Sequence, residues 1–413
     1  MKRSLFVLMF GVLIGCNNKP TPDDRVIEAD GADIARAVDG NTAFAFDLYA
    51  KLRKQSGNLF FSPYSVSTAF AMTSAGARND TSKEMVKVFH FDLDPDKFHP
   101  TYEALTAKIQ RNPVGYDLRV ANALWGQKDF GFKQPFIELV KKHYGAGLRE
   151  VDFHQAKAAS DAINAWVAEQ TKNTIPSLVD PSDFNELTRL VLANAIYMKG
   201  QWASSFKKDD TMESFFYLEP GKPIRVPMMG QCNEFDYLEE ATFQAVRLPY
   251  EGKKLSMMIL LPVKADGLPA FEEMLTPANL NLWAGKLKET RINLYLPRFT
   301  MAQSLNLGDT LSSMGMPSAF QDGKADFTGM TGPNPSEPLH ISKVVHKAFI
   351  SVNEEGTEAS GATAVILEKK DDSPRIKPKV PPEFRANRPF FFVIRDNSTG
   401  SILFMGRVME PKE

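Results

Sequence analysis

Between a strand that ends near Asn353 and another that begins near Phe384 lie about 30 residues with no plausible internal helix. Connections longer than about 12–15 residues are uncommon in compact domains and are usually functional or disordered. This one has two characters. Thr357, Ala359, Gly361, Thr363, Val365 and Leu367 occupy alternate positions and are small or apolar, while Glu358, Ser360, Ala362, Ala364, Ile366 and Glu368 take the others. That is the pattern of a half-buried strand written into a long surface connection. No proline interrupts it from Glu354 through Ser373, so the segment is free to join a sheet ladder. Beyond Pro374, the prolines Pro378, Pro381 and Pro382 remove that freedom. A domain containing this stretch must tolerate a segment that can become a strand up to a defined point and no further.

The rest of the 413-residue chain is an α+β sequence. Asn41 or Thr42 is placed to cap a helix carrying Phe44, Leu48 and Leu52 on one face, with Gly57 as its stop. Leu190 to Met198 is almost wholly apolar, as expected of a strand buried on both faces. Arg291 to Phe299 alternates through Ile292, Leu294 and Leu296. Phe390–Asp396 and Ser401–Val408 are two strands joined by a hairpin signal at 397–400. Helical patterns dominate the first half and strands the second, which favours α+β over regular βαβ winding.

The 49 basic and 50 acidic residues leave a net charge of −1 with no long single-sign block. That gives no support to a nucleic-acid or heparin-like partner. Two cysteines, Cys16 and Cys232, are too few for a thiolate metal site, and no disulfide is expected. No metal or cofactor is called for.

The N-terminus carries an address. Lys2 and Arg3 precede an apolar run from Leu5 to Ile14, too short to span a bilayer and suited to a signal peptide. It ends in Leu13-Ile14-Gly15-Cys16, which resembles a bacterial lipobox with Cys16 as the lipidated residue; an ordinary secretory signal ending near a cysteine is the alternative. The expected organisation is therefore a lipoprotein signal over 1–15, a flexible tether over 16–32 and one domain over 33–413. The expected location is the bacterial cell envelope, periplasmic or at the surface, anchored to a membrane through Cys16.

Asn353–Ala364 (NEEGTEASGATA) resembles the hinge of inhibitory serpins, and Phe384–Val408 is similar to the C-terminal signature of that family. Further similar segments are Asn58–Met85, Ile163–Val179, Leu190–Trp202, Val246–Pro262 and Ser342–Phe349, so the resemblance covers essentially everything after the tether. It implies a serpin fold, with three β-sheets, eight or nine helices and an exposed reactive-centre loop, in a native state that is not the most stable one. It also implies a function: a serine protease attacks the loop, and the freed segment inserts as a new central strand before the acyl-enzyme is hydrolysed. About 15 inserted residues at roughly 3.3 Å each would carry the enzyme some 50 Å, spoiling its near-attack geometry.

The same resemblance assigns residues. Glu354, Gly356, Thr357, Ala359, Gly361 and Thr363 form the hinge. Glycine at 356 tolerates the rotation from loop to strand, and small side chains avoid burying charge in the sheet. Arg298 is the expected partner of Glu354, against the blander reading of a solvated pair worth under about 1 kcal/mol. Ser62, Ser65, Asn194 and His346 match the shutter, where strands part. Trp202, Phe206 and the other aromatics are most simply core.

Counting forward from Glu354, the family's spacing places the reactive bond at Lys370–Asp371; counting back from Phe384 places it near Arg375, and Lys369 is a further alternative. All three residues are basic, so trypsin-like proteases are the expected partners, with Val365–Leu367 open to an elastase-like enzyme. No Gly-x-Ser-x-Gly elbow or His-Glu-x-x-His helix occurs, so the chain is read as a monomeric inhibitor and not an enzyme. The alternative is a non-inhibitory serpin acting as a surface binding module.

Overall fold

A computed structural model describes residues 29–111, 114–145, 147–332, 338–357 and 380–413. Its helices are α1 (Gly31–Leu52), α2 (Pro63–Ser74), α3 (Asn79–Phe89), α4 (Pro95–Gln110), α5 (Gln134–Tyr144), α6 (Ala156–Gln170), α7 (Leu268–Glu272), α8 (Pro277–Lys286), α9 (Gly308–Met314) and α10 (Thr328–Thr331). The strands are β1 (Leu59–Phe61), β2 (Tyr116–Gln127), β3 (Leu148–Val151), β4 (Leu190–Gln201), β5 (Met212–Glu219), β6 (Lys222–Glu239), β7 (Phe243–Pro249) and β8 (Leu255–Pro262). They continue with β9 (Lys288–Pro297), β10 (Phe299–Asn306), β11 (Lys343–Val352), β12 (Gly356–Thr357), β13 (Glu383–Arg385), β14 (Phe390–Asp396) and β15 (Ile402–Val408).

The fold is α+β, and the described strands hydrogen-bond into two large mixed sheets, one of which merges two of the three expected. One runs β1-β15-β14-β8-β7-β6-β9-β13, with β5 paired to β6; the other runs β10-β11-β12-β4-β2-β3. The merger is due to β6, which continues from its pairing with β5 and β9 into a ladder with β7. The described residues form ten α-helical segments, where eight or nine were expected, because α7 and α10 are single short turns of five and four residues.

Helix α1 also begins earlier than its candidate caps suggested. Asp30 is the N-cap, accepting from the Ala32 N–H at 3.1 Å, so Gly31 and Ala32 belong to the helix and not to a tether. Asn41 and Thr42 are buried mid-helix: the Thr42 hydroxyl donates to the Val38 carbonyl (2.8 Å) and the Asn41 amide to Ile402 (3.3 Å). The Thr42 hydroxyl, able to cap a helix, thus satisfies itself inside one through the carbonyl four residues back.

The six-stranded sheet is covered on both faces. Ala121, Ala123, Trp125, Val191, Ala193, Ala195 and Val345 pack with Ile163, Trp166 and Val167 of α6. Leu124, Leu192, Ile196, Val344 and Ala348 join the larger core that includes Val66 and Phe70 of α2. The apolar run of β4 therefore follows from burial on two sides, and its residues 190–198 are all buried. The alternating Ile292, Leu294 and Leu296 of β9 are fully buried, and β14 and β15 pair antiparallel around the 397–400 turn.

Candidate functional site

The start of the long segment already lies in the sheet. Gly356 and Thr357 form β12, wedged between the ends of β4 and β11: Thr357 stands opposite Val352 and Gly200, and Gly356 opposite Gln201. Beyond this wedge β4 and β11 pair directly and parallel, from Phe349↔Tyr197 to Lys343↔Val191. The sheet is thus parted for two residues at one end and closed below.

Local chemistry explains the wedge. A Cβ on Gly356, whose φ is +153°, would lie 1.9 Å from the Gly200 carbonyl oxygen and 2.7 Å from Gln201 Cα, so only glycine fits between these backbones. Gly200 keeps the facing side clear, since a Cβ there would meet the Tyr250 ring at 2.9 Å. Thr357 is fully buried and shares a 2.7 Å hydrogen bond with the Tyr250 hydroxyl, whose ring stacks on Trp202 at 4.7 Å. The Trp202 indole N–H donates to the Asn353 carbonyl (3.0 Å), and its backbone N–H to Glu355 (2.9 Å). Trp202 is core, as expected, and also a clamp on the hinge.

Glu354 is not a solvated partner of Arg298. Its side chain is only 3% exposed, and Oε1 accepts from Arg298 Nη2 (2.5 Å), Arg298 Nε (2.8 Å) and the Thr211 hydroxyl (2.5 Å). Burial alone would raise this carboxyl; the Arg298 and Thr211 hydrogen bonds outweigh it and hold the carboxyl below its ordinary value. Arg298 also reaches Glu413 at 3.3 Å.

The second assembly lies where β4 and β11 are still paired. His346 of β11 stands in register with Asn194 of β4, which stands in register with Asn122 of β2. Ser62, the N-cap of α2, accepts from the Ser65 N–H (3.1 Å) and donates its own hydroxyl to the Leu403 carbonyl (2.6 Å). The Ser62 backbone N–H donates to His346 Nε2 at 3.1 Å. This requires the Nδ1–H tautomer, which donates to Asn194 Oδ1. Asn194 Nδ2 then donates to the Ser65 hydroxyl (2.6 Å) and to Asn122 Oδ1. Complete burial drives the His346 pKa down to about 3, so the ring is neutral. All four expected residues meet in one buried chain of hydrogen bonds, and any strand entering between β4 and β11 must break its His346–Asn194 link.

Asn122, Thr211 and Tyr250 were not singled out from the sequence. Asn122 sits in the alternating strand β2 with no local motif, and the other two are recruited by folding. Ala359, Gly361, Thr363, Lys369, Lys370, Asp371 and Arg375 lie outside the described residues, as do Cys16 and the proposed leader. Cys232 is an exposed free thiol.

A family model described as serpin (serine protease inhibitor) matches residues 39–411. Human Serpin B4 is 39% identical over 394 residues, covering 90% of this chain and 99% of that protein. A leukocyte elastase inhibitor of Xenopus tropicalis is 41% identical over 386 residues, covering 90% and 98%. The crystal structure of Serpin48 from the insect Tenebrio molitor superposes with a TM-score of 0.81 at 30% identity, covering 93% of this chain and all of that one.

Proposed function

The chain belongs to the serpin family, whose members are typically inhibitors of serine proteases and not enzymes, and on that premise we propose a suicide-substrate inhibitor of trypsin-like proteases. The observation that supports this reading is the hinge itself. Gly356 and Thr357 already occupy the first positions between β4 and β11, and the residues that follow are small and free of proline up to Pro374. Cleavage would release the end of this segment, and each further residue entering the sheet would replace one β4–β11 pair by two ladders. Insertion gains backbone hydrogen bonds and buried surface, which drives displacement of the attached enzyme. The chain supplies no nucleophile to the reaction, only a substrate and the free energy of completing its sheet.

The bond proposed for attack is Lys370–Asp371, with Lys369 and Arg375 as alternatives. A basic residue at each supports a trypsin-like target, whereas the X. tropicalis relative is named for inhibiting elastase. The proposed setting is a bacterial envelope lipoprotein anchored through Cys16, supported by the Leu13-Ile14-Gly15-Cys16 sequence after an apolar run.

Incubating the domain with trypsin and resolving the products on a denaturing gel tests the mechanism. A covalent complex that survives boiling is expected. Complete cleavage of the chain with full trypsin activity would refute inhibition and favour the binding-module alternative. Mass spectrometry of the released C-terminal peptide reads the bond directly: a peptide beginning at Asp371 is expected, and one beginning at Ile376 moves the site to Arg375.

A further inference from the structure

We propose that the outer edge of β5 is a docking surface for a second copy of this chain, which adds its own β5 as an antiparallel strand centred on Ser214. The proposal is independent of the inhibitory reading above.

β5 pairs with β6 from Met212↔Met228 to Glu219↔Lys222, and with no other strand among the described residues. The ladder shows which of its backbone groups are free. Glu213 stands opposite Pro227 and Tyr217 opposite Pro223, two partners without an N–H. The bonded pairs with β6 are therefore those of Met212, Ser214 and Phe216, while the N–H and C=O groups of Glu213, Phe215 and Tyr217 point away from it. Two bonds agree with this alternation. The Tyr217 N–H donates to the Asn387 carbonyl (2.8 Å), and on the far side of β6 the Pro227 carbonyl accepts from the Arg298 N–H (3.0 Å). Glu213 and Phe215 are left facing outward with no strand beside them among the described residues. Folded proteins blunt such an edge with proline or lysine. Residues 212–218 (MESFFYL) contain neither, and Met212 and Phe215 are 69% and 48% exposed.

The edge is complementary to itself. The Tyr217 N–H is taken by Asn387, and the Thr211 N–H by the Lys208 carbonyl (3.2 Å), so the outward donors still free are those of Glu213 and Phe215. Two copies satisfy each other when Glu213 of one stands opposite Phe215 of the other, which sets the twofold axis at Ser214 and closes two bonds at each pair. The side chains follow the same register. Phe215 stands opposite Arg225 of β6, whose guanidinium lies 5.8 Å over the phenyl ring. Glu213 of the second copy then flanks that ring on its other side. Neither Arg225 nor Glu213 has an ion-pair partner among the described residues. At about 4.8 Å between strands their backbones would stand roughly 10 Å apart, a gap the two side chains span across Phe215. On the opposite face Met212 falls beside Phe216 of the second copy, which gives an exposed apolar side chain a cover. An unrelated extended peptide could take up the backbone bonds, but the paired Glu213 and Arg225 are matched only by this chain's own sequence. A contact this small supports a weak dimer, so the dilute chain stays monomeric.

Sedimentation velocity of the chain from about 1 to 300 μM tests the surface, with a reversible monomer–dimer equilibrium and a Kd on the order of 10–100 μM expected. Phe215→Pro removes an N–H that points outward and leaves the ladder to β6 intact, as proline is tolerated on an edge; it should abolish the dimer. Arg225→Glu should raise the Kd at least about fivefold at low salt, and adding Glu213→Arg to it should restore the wild-type value, because the ion pair is then rebuilt in reverse. A monomer at every concentration overturns the proposal. So does a dimer that Phe215→Pro and Arg225→Glu leave unchanged, since its interface would then lie elsewhere. Urea midpoints check that each variant is folded; if Phe215→Pro is not, the charge reversal and its rescue decide the matter.

Discussion

Replacing Gly356 by alanine is the most direct test of how the hinge is held. The added methyl cannot be accommodated by a side-chain rearrangement, because its nearest neighbours are the Gly200 carbonyl and the Gln201 Cα of β4. Either β4 is displaced or β12 leaves the sheet, and the cheaper response sets the observed loss. Leaving the sheet gives up the Trp202 N–H to Glu355 bond, the Asn353 N–H to Gly356 bond, the Thr357–Tyr250 bond and the β12 ladder. At about 1 kcal/mol net for each hydrogen bond, this comes to about 4 kcal/mol. With an m-value of roughly 3 kcal/mol per molar urea for a large domain, the first unfolding transition should move down by just over about 1 M. A cycle with Thr357→Val separates the two responses: once β12 is out, loss of the Thr357 hydroxyl should cost nothing further. Trypsin trapping should also become less efficient, because the hinge must dock before the rest of the strand can follow. A wild-type urea midpoint for Gly356→Ala would refute the close backbone approach; an undiminished effect of Thr357→Val in the alanine background would show that β12 stays docked.

Glu354→Ala removes three hydrogen bonds from a buried acceptor and leaves Arg298 with Glu413; since Arg298 is itself one-third exposed, a loss of about 2 kcal/mol is expected, below the range for a fully buried pair. Urea midpoints measure it, and a change within error would return the pair to the surface class. Glu272→Ala should cost more, about 3–5 kcal/mol, because Glu272 and Arg407 are both nearly fully buried at 3.0 Å and the Tyr49 hydroxyl also donates to that carboxylate at 2.6 Å. A thermal melt indistinguishable from wild type would contradict it. For pH, the neutral His346 binds no proton in the fold until about pH 3, whereas an unfolded histidine protonates near 6.5. Its contribution is intact above pH 6.5 and falls as pH drops, by about 2 kcal/mol at pH 5. His99, lowered to about 4 by burial and by the facing His143, acts with the same sign. Denaturation at pH 7 and pH 5 checks the slope, and equal stability at the two would mean that His346 is solvated.

Much of this was legible in the chain because it is written locally. The apolar β4, the alternating β9 and the β14–β15 hairpin are short-range patterns, and the small residues after Glu354 mark a segment that can enter a sheet. The start of α1 was misplaced because Thr42 bonds back to Val38 in mid-helix and Asn41 donates to the distant Ile402 carbonyl, while Asp30 does the capping. Nothing local signals that a single 18-residue strand, β6, serves three ladders, with β5, β7 and β9, and so joins two of the sheets. Thr211, Tyr250 and Asn122 carry no pattern: a threonine before a strand, a tyrosine at a turn and an asparagine in an alternating strand acquire roles only from partners 57 to 143 residues away.

The two halves of the site do opposite things to the same seam. At the wedge, two glycines and a buried Thr357–Tyr250 bond make the open arrangement the satisfied one, so the sheet there costs nothing further to part. Below it, His346, Asn194 and Asn122 are in register across three strands, with every polar atom in the chain of bonds supplied by a neighbour. Breaking His346–Asn194 leaves two buried polar groups unpaired until an incoming backbone replaces them, a penalty of about 1–3 kcal/mol for each group. The barrier to insertion therefore belongs at the His346 row and not at the hinge. Substitutions in that row should change how fast the strand enters, whereas substitutions at Gly356 or Glu354 should change how much of it is docked before cleavage.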